Sequence, residues 1–309
     1  MRVTAFHSFL SQLSRSYNKI AQMNDKGWSC GAQLEHPGVL YDVHRDYLKA
    51  GADIIIANTY ATNRVVMDSA GMGDKTPLGI QRAVEIARDA INREGKSHVM
   101  LAGSLSTHPP EIPIGTAGGT YPWPPEDEIR AAYDEAALTL AKAGVDVLFL
   151  EMMKEPEKSF HAISAARDSG LPVFLGLSTR ILPDNQIELF GNSHEGVPFT
   201  TEVLEKWLDA GGDSIVGVNV MHTNFSATGP TLDVVRKVWK GPLGAYPDHG
   251  HFKMPVWQFE EVDIPEAIDM VDSWIDKYDV KLVGGCCGLK DNFITALKNR
   301  LRIRGLSPY

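Results

Sequence analysis

The run Val145-Asp146-Val147-Leu148-Phe149-Leu150, a helical pattern over 156–169, and the run Pro172-Val173-Phe174-Leu175-Gly176-Leu177 decide the fold. Each apolar run has the length of a strand and is bounded by Gly or Pro. Neither alternates with polar residues, so each strand is expected to be buried on both faces, as in a parallel sheet crossed by helices. The same cycle recurs on both sides. Upstream lie a helical face at Val39, Leu40, Val43 and Tyr47, the run 52–57, a helix over 79–94, the run 98–102, and the face Ile129, Ala132, Tyr133, Ala136, Ala137 and Leu140. Downstream, helical patterns near 203–208, 229–239, 265–277 and 291–302 alternate with apolar runs at 214–218, 243–246 and 280–283. That makes seven strands. An eighth is expected in the poorly patterned stretch at 19–27, and closing the sheet then gives a (β/α)8 TIM barrel. A doubly wound open sheet is the rival, but no G-x-G-x-x-G follows any strand.

The chain has 309 residues, 43% of them hydrophobic and 22% charged, which is ample for one large core. Its formal charge is −9, from 39 acidic against 30 basic residues, and it has no long basic stretch, which argues against nucleic acid as a partner. No apolar run reaches the roughly 18 residues of a membrane span. Three cysteines do not form a disulfide framework, so a reducing cytoplasm fits best. Residues 1–24 contain no acid, four serines, and an apolar face at Val3, Phe6, Leu10, Leu13, Tyr17 and Ile20. They read as an N-terminal amphipathic helix packed under the domain or against another subunit, in preference to a transit peptide. Residues 25–309 read as a single barrel domain, and a homo-oligomer is compatible with the chain.

In such a barrel the working residues lie just past the C-terminal strand ends. The sequence places Asn58-Thr59-Tyr60, Ser104, Glu151, Ser178, Asn219 with His222, Tyr246 with Asp248, His249 and His251, and finally Cys286-Cys287 at those ends. Adjacent cysteines rarely bond to each other because the small ring strains the S–S torsion. As thiolates they supply two soft ligands to one zinc ion, one short of a catalytic set. Packing as two small hydrophobes at a strand end is the alternative. Glu151 at the barrel mouth is placed to hold a substrate ammonium, or else to pair with Lys154 or Lys158.

Taken in order, these residues resemble the homocysteine S-methyltransferase family over roughly 25–300. His44-Arg45-Asp46-Tyr47-Leu48-Lys49-Ala50-Gly51-Ala52-Asp53 with Ala57-Asn58-Thr59-Tyr60 is similar to its H-x-x-Y-x-x-A-G-A-D…T-N-T-Y segment. Ala102-Gly103-Ser104-Leu105, Ala143-Gly144-Val145-Asp146 leading to Glu151, Gly217-Val218-Asn219, Tyr246-Pro247-Asp248 and Gly284-Gly285-Cys286-Cys287 follow in the family's order. The resemblance implies a barrel in which three cysteines bind zinc and zinc holds the homocysteine sulfur as a thiolate. The thiolate attacks a methyl group on a sulfonium, quaternary ammonium or methylcobalamin donor. It also implies that Glu151 and Asn219 are catalytic, and that Asn58, Thr59, Ser104, Glu151 and Tyr246 bind substrate. The expected cofactor is Zn2+ and the expected partners are a small thiol acceptor and a methyl donor. The chain length resembles members that use S-methylmethionine or S-adenosylmethionine.

The chain departs from the pattern at several points. Val220 stands where the family carries the cysteine of G-x-N-C. The metal set is therefore expected to be Cys286, Cys287 and His222, with Cys30, His249 or His251 as alternatives for the third ligand. The family's D-G-G-x-G-T segment, which helps hold the amino acid, is replaced by Asp25-Lys26-Gly27-Trp28-Ser29-Cys30-Gly31. Met152 rather than threonine follows Glu151. A metal enzyme acting on another sulfur- or methyl-bearing compound, and a metal-free binding barrel, are the alternatives.

Overall fold

The computed structural model describes residues 2–5, 27, 29–107, 123–190, 196–249, 251–253, 256–258 and 262–307. Strand β4 (Val147–Met153) shows how the sequence pattern becomes a layer. Val147 and Phe149 turn inward to join Ile54, Ile56, Ala102 and Leu282, while Leu148 and Leu150 face outward and pack under the helices. A continuous apolar run is therefore needed, because both sides of the strand leave water. The other strands of the barrel are β1 (Arg2–Ala5), β2 (Ile54–Ile56), β3 (Met100–Ser106), β5 (Val173–Leu177), β6 (Ile215–Asn224), β7 (Leu243–Asp248) and β8 (Val280–Gly285). All eight run parallel. They close in the order β1-β8-β7-β6-β5-β4-β3-β2, with β2 pairing back onto β1. The fold is the expected (β/α)8 barrel.

The expected helices are present at Pro37–Ala50, Thr76–Arg93, Glu126–Ala143, Pro156–Asp168, Thr201–Gly211, Phe225–Val238, Ile264–Tyr278 and Asp291–Ile303. Two of them stop on a left-handed glycine, Gly51 at φ 95° and Gly144 at φ 86°, immediately before a strand begins. No helix among the described residues is long and apolar enough to cross a membrane.

The eighth strand is not where the sequence pattern suggested. Residues 19–26 lie outside the described residues, as does the rest of the proposed N-terminal helix from 6 onward. The barrel is closed instead by Arg2–Ala5, inside the segment read as helical. Its backbone pairs with β8 from Arg2 opposite Leu282 to Ala5 opposite Gly285, and with β2 at Thr4 and Ala5. The physical reason is the two strand edges that closure would otherwise leave unpaired, which outweighs the helical spacing of a few apolar residues.

Two small antiparallel additions were not foreseen. Thr179–Ile181, Ile187–Leu189 and Val197–Pro198 form a three-stranded sheet directly after β5. His251–Lys253 pairs with Val256–Gln258 directly after β7. Both lie on the C-terminal side of the barrel, next to the strand ends that carry the polar residues.

Candidate active site

The end of β8 and the end of β6 meet inside the barrel. Cys286 Nα–H donates to the Pro247 carbonyl at 2.8 Å and His249 Nα–H to the Cys287 carbonyl at 2.8 Å, so the cysteine pair is locked to the end of β7 by backbone alone. On β6, Asn219 and Met221 are buried within the barrel, whereas Val220 belongs to the helix-facing core. His222 then adopts φ 43°, a left-handed backbone uncommon outside glycine, which re-aims its ring. Its Nδ1 lies 3.5 Å from Cys286 Sγ and 3.7 Å from Cys287 Sγ, and the two sulfurs are 3.9 Å apart. The ring is braced edge-on by Phe190, with centroids 5.3 Å apart.

Among the described residues, this His–Cys–Cys group brings three donor atoms within 4.8 Å of one another. A tetrahedral ion with bonds of about 2.3 Å to sulfur and 2.0 Å to nitrogen needs S···S near about 3.8 Å and S···N near about 3.5 Å. The triangle matches both. Cys30 is instead packed with Ala61, Val66 and Met67, and burial pushes its thiol up to about 11. His249 stands against the Phe225 ring, and the side chain of His251 lies outside the described residues.

The triangle is polarised before any ion binds. Cys287 is held well below the ordinary thiol range, first by the hydrogen bond that Cys286 Sγ donates to it and then by His222. Cys286 is driven up by burial. For His222, burial favours the neutral ring, yet the Cys287 thiolate and then Asp248 carry it above its usual range. Asp248 Oδ2 sits 3.6 Å from His222 Nδ1, and burial raises its carboxyl to about 6.

Across the barrel, Glu151 is completely buried. Ser104 Oγ donates to its Oε2, and the Tyr246 hydroxyl donates to its Oε1 at 3.5 Å. Desolvation raises the carboxyl to about 8 against those two bonds. Two glycines make this crowding feasible. A Cβ on Gly176 would stand 2.3 Å from the Leu150 carbonyl and 3.2 Å from the Tyr246 hydroxyl, and one on Gly244 would stand 2.0 Å from Asn219 Oδ1. Asn219 therefore fits beside Tyr246 only because β7 has no side chain there.

Asn58 and Thr59 are positioned differently from Ser104 and Tyr246. Asn58 Nδ2 donates to the Ser29 carbonyl at 3.0 Å and to Gln33 Oε1 at 2.9 Å, and its Oδ1 accepts from Ser29 Oγ at 3.0 Å. Both its N–H groups are thus committed to holding the turn that precedes helix Pro37–Ala50. Thr59 Oγ1 donates to the Ser104 carbonyl at 2.8 Å and accepts from Ser104 Nα–H at 2.9 Å, fixing the residue that holds Glu151. Nothing in the repeating pattern marks Phe190 as the brace for His222, because it directly follows a strand of the inserted sheet, which has no counterpart in that pattern.

The position of Val220 leads to an expected result. His222→Ala should weaken metal binding at least about tenfold, read by competition with a chromogenic chelator. Adding Val220→Cys to that variant should not restore binding, because a side chain at 220 points into the helix-facing layer. Recovery of wild-type affinity in the double variant would show that β6 can shift its register to present that position.

The sequence model of the homocysteine S-methyltransferase family matches residues 8–301. Selenocysteine Se-methyltransferase of Brassica oleracea var. italica is 25% identical, with the match covering 91% of this chain and 84% of the relative. Betaine–homocysteine S-methyltransferase 1 of Bos taurus is 24% identical over 91% of this chain and 69% of its own length. In structure, the metallated form of the homocysteine methyltransferase MmuM from Escherichia coli superposes with a TM-score of 0.73 at 21% identity, covering 97% of this chain and 95% of that one. With the barrel, the ordered motifs and a match over nearly the whole length in agreement, the chain belongs to the homocysteine S-methyltransferase family and is a methyltransferase.

Proposed function

We propose that this protein is a zinc-dependent enzyme that moves a methyl group from a small sulfonium donor, S-methylmethionine or S-adenosylmethionine, to homocysteine or a related thiol or selenol. The carrying observation is the His222–Cys286–Cys287 triangle, whose edges fit one tetrahedral ion with a fourth position left for substrate. Two thiolates and an imidazole suit zinc among the common divalent ions. When bound, zinc supplies the positive charge that keeps an acceptor sulfur deprotonated near neutral pH, and the thiolate is the nucleophile.

The chain's own residues do the rest. Glu151 accepts the acceptor's ammonium group. Its carboxyl is costly to ionise alone in that site, so the incoming cation and the loss of its proton favour each other. Ser104 and Tyr246 fix the two carboxylate oxygens, and Thr59 fixes Ser104. Asn58 acts one step further out, by holding the turn at 29–33. Asn219 and Tyr246 line the inner wall against which the reacting sulfur rests. Three free thiols fit a reducing compartment, and we place the enzyme in the cytoplasm.

The test is elemental analysis of protein purified without chelator, followed by methyl transfer to homocysteine from S-methylmethionine, S-adenosylmethionine and betaine, with methionine read by mass spectrometry. About one zinc per chain and turnover with a sulfonium donor are expected. Absence of zinc even after reconstitution would remove the thiolate-activation step. Turnover with betaine alone would reassign the donor.

A further inference from the structure

Met152, the residue directly after Glu151, takes φ 55°, in the left-handed region that residues other than glycine seldom occupy. The turn falls inside an irregularity of β4, whose pairing with β5 shifts between Leu150 and Met153. Leu150 and Met153 both belong to the helix-facing layer. Between them, Met152 joins the inner cluster and Glu151 reaches Ser104 and Tyr246. Two consecutive side chains therefore point into the barrel, which the alternation of a regular strand does not allow. The left-handed turn takes up the extra residue.

Side chains from three other parts of the barrel hold this turn. Met152 Nα–H donates to Met221 Sδ on β6 at 3.1 Å, and its carbonyl accepts from Thr107 Oγ1, just past β3, at 3.3 Å. Its own Sδ accepts from the Tyr60 hydroxyl, beyond the end of β2, at 2.8 Å. Thr107 and Met221 are fully buried, so these contacts are shielded from water. A strained residue persists only where its surroundings over-determine it, and such residues gather at sites of function. Residue type matters as well. The threonine that the family motif carries here is branched at Cβ, and for a branched side chain a positive φ is far harder to adopt than for unbranched methionine.

We propose that Met152 is a positioning residue, whose left-handed turn, clamped by Met221, Thr107 and Tyr60, sets the Glu151 carboxylate where it meets the ammonium of an amino-acid acceptor. This rests on the S-methyl transfer reading above. Leu150 and Met153 are both fixed against the helices, so an extended backbone at 152 forces one of these flanks out of register. The Glu151 carboxylate, on the neighbouring residue, then moves off Ser104 and Tyr246. A misplacement of about 1 Å in such a group costs up to about a hundredfold in rate.

The experiment compares homocysteine with 4-sulfanylbutanoic acid, which keeps the thiol and carboxylate but lacks the amine. Zinc-loaded wild type, Met152→Thr, Met152→Asn and Met221→Leu are assayed for kcat/KM and, by calorimetry, for binding of each thiol, with zinc content and melting midpoint measured alongside. Wild type should prefer homocysteine by about a hundredfold. Met152→Thr should cut that preference at least about tenfold, because its branched Cβ resists the turn. Met152→Asn, which tolerates the left-handed region and offers Tyr60 an oxygen, should keep it within about threefold. Met221→Leu keeps the volume but removes the acceptor of the Met152 N–H, and should cut the preference by at least about threefold. If the threonine variant does not fold, Met221→Leu carries the test. Equal effects of threonine and asparagine, equal losses for both thiols, or an unchanged preference in Met221→Leu would overturn the assignment. A wild type whose binding of homocysteine depends on residue 152 in this way, but which transfers no methyl group, would retain Met152 and refute the transfer reading. A wild type that does not distinguish the two thiols would refute the placement of Glu151 and Met152 together.

Discussion

Serine at either Cys286 or Cys287 is expected to leave the barrel folded but to strip it of metal, with kcat/KM for methyl transfer falling by at least about a thousandfold, the scale of several kcal/mol of lost charge stabilisation. A serine hydroxyl is a harder donor and stays protonated at neutral pH, so it cannot replace a thiolate in a site of this composition. The fold should survive because the backbone of the pair is held independently, by the bonds from Cys286 Nα–H to Pro247 and from His249 Nα–H to Cys287. The change from sulfur to oxygen also leaves little empty volume in the core. Elemental analysis, a thermal melt of metal-free protein and a methyl-transfer assay check the three parts separately. A variant that kept one zinc per chain and full turnover would show that the triangle is not the reaction centre.

Glu151→Gln should separate activity from stability. Loss of the ammonium partner is expected to lower kcat/KM for an amino-acid thiol by about a hundredfold, the upper range for a buried charge-assisted bond. In the metal-free protein the same change should be relatively stabilising as pH rises. The folded carboxyl titrates at about 8 against an ordinary 4.5, so between these values the folded state holds a proton that the unfolded state has released. Stability of the wild type therefore falls with rising pH across that window and levels above it, whereas glutamine has no such term. The melting-midpoint difference, variant minus wild type, should grow from pH 5 to pH 8. A difference that stays flat with pH would mean that Ser104 and Tyr246 already support the ionised carboxylate in the empty site.

Most of the architecture was legible in the sequence because barrel strands are buried on both faces and therefore read as unbroken apolar runs. The seven runs identified this way all became strands, and the intervening 3.6-residue patterns became helices. The eighth strand escaped because four residues carry too little periodicity to distinguish strand from helix, and the decision lay with β2 and β8, far away in sequence. The insertion sheets at 179–198 and 251–258 escaped because they are additions to the repeat, not members of it.

The candidate site divides in the same way. The adjacent cysteines between glycines, the glutamate at the end of a strand, and the order of motifs were fixed in one dimension, and so was the absence of a third cysteine at Val220. Which donor stands beside the cysteine pair was decided only by tertiary structure. The sequence put His222 first, with Cys30, His249 and His251 as alternatives, and among the described residues the left-handed turn at His222, braced by Phe190, brings a donor within 3.7 Å of both sulfurs. Asn58 matched a family motif, but its amide is engaged by Ser29 and Gln33. The sequence determined which chemistry was available, because that depends on residue type and order. The structure decided which groups meet, because that depends on where a bulge or a single positive φ turns a side chain, and such turns are settled by the packing of distant strands.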